Sequence, residues 1–222
     1  AGPPARPRAA VVTFGDSITE GALSTIDADN RYPDELAERL VAQRRPLSVL
    51  NAGISGNRVL DDSPCFGDAA VSRFGRDVLD EPGVRTVIVM EGINDINAIA
   101  QAEPHPCGDP RPHLTAAQLI DAHRGLIRAA HARGIKIIGG TATPYKDNIF
   151  GTFTERGEQI RDELNHWIRT SGEYDAVVDF DQAVADPANP DVLLAAYDSG
   201  DKLHPNDAGY HAMAQAVNLG VL

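Results

Sequence analysis

The segment Val84–Met90 (VRTVIVM) limits the possible folds of this chain more than any other. Beyond Arg85 and Thr86 it carries no polar residue, so a strand built from it has no face to give to water. A strand covered on both faces belongs in a parallel sheet with helices above and below, whereas an antiparallel sheet with one wet face needs polar residues at alternate positions. Four further runs of strand length surround it, at residues 9–14, 47–50, 135–138 and 176–180. The stretches between them repeat apolar residues at helical spacing. Leu36, Leu40 and Val41 do so within 32–44, and Val71, Phe74, Val78 and Leu79 mark a second segment weakened by Gly75. Leu119, His123, Leu126, Ile127 and Ala130 share one face of 115–133, with Thr115 placed to cap that helix and Gly134 to stop it. Helices over 154–170 and 206–218 complete the series, the last opened by Pro205. This alternation predicts an α/β domain with a five-stranded, mainly parallel sheet and helices on both faces. The chain contains no internal repeat and reads as a disordered or extended lead-in over residues 1–8 and a single domain over 9–222.

Its 222 residues can bury a substantial core without a metal or disulfide scaffold. Acidic residues outnumber basic ones 32 to 20, a net charge of −12. That field repels a phosphate backbone and an anionic lipid surface, so neither nucleic acid nor a stable membrane attachment is expected. No run of 18 apolar residues offers a membrane-spanning helix. The two cysteines, Cys65 and Cys107, fall in irregular segments rich in Pro and Gly. An even count in such loops predicts a disulfide, which in turn implies secretion, as does the Pro-rich start that processing of a longer precursor would leave. Two unpaired thiols are the plainer alternative. A zinc site from Cys65, His105, Cys107 and His113 is another, with ligands at irregular spacings among prolines.

In parallel α/β sheets, sites form where loops leave the carboxyl ends of strands. Four such loops, 15–21, 51–67, 91–113 and 141–153, hold the unusual residues here. The first reads Gly15-Asp16-Ser17, which places a serine hydroxyl at the sheet edge and its N–H at a helix start, where a nucleophile and an oxyanion donor are both served. Asp201 and His204 offer a base: the Asp-x-x-His spacing lets the carboxylate return to Nδ1 and leaves Nε2 for the serine. The plain alternative is a helix start with Asp201 solvated and His204 capping. Gly56 can present a backbone N–H at close approach, and Asn94 a side-chain N–H; as turn residues each would be unremarkable. No Gly-x-Ser-x-Gly elbow occurs.

Taken together and in this order, Gly15-Asp16-Ser17, Gly56, Gly92-Ile93-Asn94-Asp95 and Asp201-Lys202-Leu203-His204 resemble the motifs of the SGNH (GDSL) hydrolase family, over about residues 10–212. The resemblance implies a flavodoxin-like three-layer α/β/α sandwich. It implies Ser17 as nucleophile and first oxyanion donor, Gly56 and Asn94 as the other donors, His204 as base and Asp201 as its orienting acid. Lys202 stands where the family commonly has glycine. The implied reaction is hydrolysis of a carboxylic ester through an acyl-enzyme, with no cofactor and no metal. A short-chain acyl or acetyl ester, on a small molecule or a carbohydrate, is the expected substrate; a lipase or phospholipase acting on longer chains is the alternative. A non-catalytic phosphate- or carbohydrate-binding domain is a third reading. It leaves the Asp201/His204 pair unexplained, and Asp16 and Glu20 oppose an anion. If Cys65 and Cys107 pair, they pin the loops bearing Gly56 and Asn94 together at the rim. The aromatic-rich segment 143–153 is expected either to line an acyl pocket or lid, or to pack Phe150 and Phe153 against the next helix.

Overall fold

Val84–Met90 is buried throughout except at Arg85, as its composition requires. The computed structural model describes residues 9–104 and 106–222; the lead-in over residues 1–8 and His105 of the zinc alternative lie outside the described residues. In chain order the elements begin with β1 (Ala9–Gly15), α1 (Ser17–Glu20), α2 (Tyr32–Ala42), β2 (Leu47–Gly53), α3 (Ala70–Phe74), β3 (Val84–Met90) and α4 (Ile93–Asn97). They continue with α5 (Ala116–Ala132), β4 (Lys136–Gly140), α6 (Glu155–Thr170), β5 (Ala176–Val178), α7 (Phe180–Val184), β6 (Ala185–Asp186), β7 (Asn189–Leu193) and α8 (Asp207–Ala216).

The main sheet runs β2-β1-β3-β4-β5, and every pairing in it is parallel. Alternate strand residues feed two separate cores, as the period of two demands. Val11, Ile88, Met90, Ile138 and Val178 pack with Leu36 and Leu40 of α2, Phe180 of α7 and Met213 of α8. Their neighbours Val12, Phe14, Val87, Val89 and Ile137 pack with Phe74 of α3, Ile96 of α4, Leu119 of α5 and Leu164 of α6. The result is a three-layer α/β/α sandwich. Because β2 and β3 flank β1 on opposite sides, the chain reverses its direction of travel across the sheet at β1, and a crevice opens beyond the carboxyl ends there.

Several boundaries differ from expectation. β5 ends at Val178, not at residue 180, because Asp179 accepts the Gln182 N–H at 3.1 Å and caps α7, so Phe180 begins a helix. The segment after Phe74 continues as one π-helical turn, Gly75–Leu79. Val41 and Val71 point outward, leaving Leu36, Leu40, Phe74 and Val78 as the buried positions. The last helix starts at Asp207, capped by the Asn206 side chain, with Pro205 ahead of the cap. The helix start expected at Ser17 is α1, a single turn, whereas the short helices α4 and α7 and the antiparallel pair β6–β7 have no counterpart among the predicted elements.

Candidate active site

β1 delivers Ser17 to the crevice. Gly15 ends the strand so close to the next turn that a Cβ there would lie 2.1 Å from Thr19 Oγ1 and 2.5 Å from the Met90 carbonyl oxygen. Asp16 then caps α1 by accepting the Ile18 N–H at 2.9 Å. Burial pushes the Asp16 carboxyl up to about 6, although that backbone N–H and the neighbouring His204 and Arg73 pull the other way. Ser17 itself is buried, and its Oγ lies 2.9 Å from His204 Nε2.

His204 and Asp201 come from the loop before α8. His204 Nδ1 donates to Asp201 Oδ2 at 2.6 Å, which leaves the Nε2 lone pair to the serine hydroxyl. Asp201 Oδ1 accepts the N–H groups of Leu203 and His204 at 2.9 and 2.8 Å and the Ser199 hydroxyl at 3.2 Å. Burial works to raise the Asp201 carboxyl, but these bonds, led by His204, hold it below the usual aspartate range. Lys202 takes φ +65°, the left-handed region where glycine is favoured, and its ammonium pairs with Asp198 at 2.6 Å away from the imidazole.

The loops after β2 and β3 bring Gly56 and Asn94 to the same crevice as Ser17 and His204. Gly56 has φ +74°, and a Cβ there would lie 2.4 Å from the Phe66 ring. Both its backbone and its neighbour therefore require glycine. Asn94 donates one amide hydrogen to the Asn57 carbonyl at 3.0 Å, which fixes the plane of the amide and leaves the second hydrogen. Sequence reasoning assigned no role to two residues that hold these loops. Asp95 accepts the Val59 and Leu60 N–H groups at 2.8 and 3.1 Å, and burial pushes its carboxyl up to about 6. Arg73, on α3, is buried and donates to Gly15, Ala52, Asn57, Asp77 and Glu91. Burial and the nearby Asp16 charge push Glu91 well above its ordinary range despite that cation.

Residues 13–212 match the sequence model of the GDSL-like lipase/acylhydrolase family. The chain belongs to that family. As a GDSL-like acylhydrolase it is a carboxylic ester hydrolase, and the reading as a non-catalytic binding domain falls away. No curated protein matches it significantly. Among solved structures, a GDSL-like lipase from Bacteroides thetaiotaomicron superposes with TM-score 0.69 at 19% identity, covering 96% of this chain and 88% of that one. The aryl esterase of M. smegmatis gives 0.69 at 19%, covering 94% and 95%. An acetyl xylan esterase gives 0.65 at 21%, covering 93% and 96%.

In this acylhydrolase Ser17 and His204 open into a pocket of about 470 Å³. Phe66 and Phe150 are among its lining residues, as are the polar side chains of Arg58, Asn97 and Gln101. Arg58 is buried and donates to the Asp109 carbonyl at 2.8 Å and to Gln101 Oε1 at 3.3 Å. The segment 143–153 divides between its two expected roles. Phe153 packs on Tyr145, with ring centroids 5.3 Å apart, whereas Phe150 stands edge-on to His204 at 6.4 Å. The Ile149 N–H donates to the Asp201 carbonyl at 3.0 Å and ties this segment to the acid's loop. Cys65 and Cys107 form a disulfide, which sets aside the unpaired-thiol and zinc alternatives, and Cys65 immediately precedes the ring that covers Gly56. Among the described residues no helix is long and apolar enough to cross a membrane.

Proposed function

We propose that this protein is a serine esterase that cleaves short-chain acyl or acetyl esters through an acyl-enzyme, acting outside the cell. The carrying observation is the buried chain Asp201–His204–Ser17, with links of 2.6 and 2.9 Å, at the wall of a pocket. Ser17 attacks the ester carbonyl as His204 Nε2 takes its proton, and Asp201 holds the imidazole and stabilises its cation. The oxyanion rests on the N–H groups of Ser17 and Gly56 and on the free Asn94 amide hydrogen. His204 then returns the proton to the leaving alcohol, and water repeats the sequence to release the acid.

The pocket wall supports a short acyl group. A long chain lying along it would cover the amide groups of Asn97 and Gln101, at about 1–3 kcal/mol for each polar group cut off from water, whereas Arg58 keeps its bonds to Asp109 and Gln101. The same wall suits a polar alcohol, so acetylated sugars are the substrates to try first; an acetyl xylan esterase shares the fold. The longer-chain reading draws on Ile149 and Phe150, which are 69% and 56% exposed beside the pocket. The disulfide supports an oxidising compartment. No nucleic-acid partner or stable membrane attachment is proposed for a chain of net charge −12.

Initial rates on p-nitrophenyl acetate, butyrate, octanoate and decanoate, with Ser17→Ala alongside, test this reading. Rates that fall steeply beyond butyrate are expected, and a maximum at octanoate or longer transfers the assignment to a lipase. Ser17→Ala should lower kcat on the order of 10⁶-fold. Retained turnover removes Ser17 from the mechanism.

A further inference from the structure

The Arg73 side chain is fully shielded from solvent, its guanidinium carbon 3.9 Å from the centre of the Phe14 ring. A fold that needed only stability would gain as much from an apolar residue there, because burying a cation costs several kcal/mol before its partners offset it. What the guanidinium does instead is bridge the carboxyl ends of three adjacent strands. Nη2 donates to the Gly15 carbonyl at the end of β1 (2.9 Å), and Nη1 to the Ala52 carbonyl near the end of β2 (2.8 Å). Nη2 also reaches Glu91 Oε1, the first residue after β3 (3.3 Å), and Nε reaches Asn57 Oδ1 (2.9 Å).

Each contact lies within four residues of an oxyanion donor. Gly15 lies two residues before Ser17. Asn57 follows Gly56, so holding its side chain fixes the peptide that carries the Gly56 carbonyl and limits how the glycine can turn. The Asn57 carbonyl in turn accepts from Asn94 Nδ2 at 3.0 Å and sets the plane of that amide. We propose that Arg73 is a positioning residue of the oxyanion hole, whose rigid planar fork sets the Ser17, Gly56 and Asn94 donors relative to one another. This rests on the roles given above to those three residues. A lysine keeps the charge but offers its donors from a single atom and cannot span the same four oxygens.

The test compares Arg73→Lys with the wild type on an ester and on the thionoester with the same acyl and leaving groups. Sulfur is a poor hydrogen-bond acceptor, so the ratio of the two kcat values reads how well the donors fit the developing oxyanion. In Arg73→Lys the ester kcat should fall about 10²-fold with KM nearly unchanged, and the ester-to-thionoester ratio should fall by about tenfold or more. A structural role alone would lower the melting temperature and leave the ratio where it was; an unchanged ratio, or a loss confined to KM, overturns the proposal. If Arg73→Lys does not fold, Asn57→Ala removes the acceptor through which Arg73 reaches the Gly56 loop, together with that side chain's bonds to the Phe66 and Asp68 carbonyls, and the ratio must fall there too. Ser17→Ala on the same ester separates the two failures. If it retains turnover, the serine mechanism itself is wrong; if it is inactive while the Arg73→Lys ratio holds, only the role of Arg73 is wrong.

Discussion

Asp201 and Asp95 are two buried aspartates that each accept two consecutive backbone N–H groups, from Leu203 and His204 in one case and from Val59 and Leu60 in the other. Their carboxyls nevertheless move in opposite directions: Asp201 sits below the usual range and Asp95 is pushed up to about 6. The difference lies in depth of burial and in the imidazole. Asp95 is the more deeply buried, and the Arg58 charge only partly offsets that, whereas Asp201 has His204 Nδ1 at 2.6 Å, a donor that rewards the charged form. Backbone N–H groups alone, in this fold, hold an aspartate in place without making it a strong base's partner. In the proposed mechanism Asp201 tunes chemistry, whereas Asp95 staples a loop.

The largest effect that would break this contrast is on kcat. Asp201→Asn should lower it by about 10³–10⁴-fold, since the amide stabilises the wrong tautomer and cannot balance the imidazolium. Asp95→Asn should cost far less, because no imidazole rests on it, and equal losses would erase the distinction. Next in size is stability. The 59–60 backbone that Asp95 holds lies in the same loop as Cys65, so removing the disulfide asks whether Asp95 suffices. With the cysteines 42 positions apart, the Cys65→Ser/Cys107→Ser pair should lower unfolding free energy by about 4 kcal/mol in the chain-entropy model. A urea midpoint that does not move would rule out that contribution and leave the bonds to Asp95 as the loop's main staple. The smallest effect is in the pH profile of stability. A carboxyl raised from 3.8 to about 6 by folding binds its proton more tightly in the native state, so its contribution is full below pH 3.8 and is lost as pH rises through 6. Asp201 has the opposite sign, contributing above 3.8 and losing its contribution as pH falls. Asp95→Asn should therefore flatten the decline in unfolding free energy between pH 4 and 7, by at most about 1.4 kcal/mol per pH unit. An unaltered slope would mean that Asp95 titrates normally.

The strands were legible because burial on both faces leaves an unbroken apolar run, as in Val84–Met90, and the long helices because Leu119, Leu126 and Ile127 repeat at a helical interval. Ser17, Gly56, Asn94, Asp201 and His204 were legible as motifs, and the structure brings all five together at one crevice, with Asp201 directly behind His204. Arg73 was not, and Asp95 was visible only as the last residue of the Gly92–Asp95 motif, with no role of its own. A single charge on a helical segment carries no local sign of burial, and Arg73 reads in sequence like Arg76 three positions on, whose side chain is 64% exposed. Helices of four or five residues, such as α1 and α4, are shorter than the window in which periodicity shows. The apolar run 176–180 hid a boundary because one residue, Asp179, decides between strand and cap. Phe150 and Phe153 are alike in sequence, and only the course of the loop sends one to the imidazole and the other to Tyr145.

The serine hydroxyl and the imidazole that touches it are separated by 187 positions along the chain. Nearly the whole sheet must therefore be synthesised and closed before the two atoms can meet. A chain still emerging from the ribosome would carry Ser17 as an ordinary alcohol, unable to acylate itself on any ester it encountered. Hydrolysis would switch on only when α8 docks, so the onset of ester cleavage during refolding should report the completion of the core that α8 shares with α2 and α7 rather than the formation of the sheet.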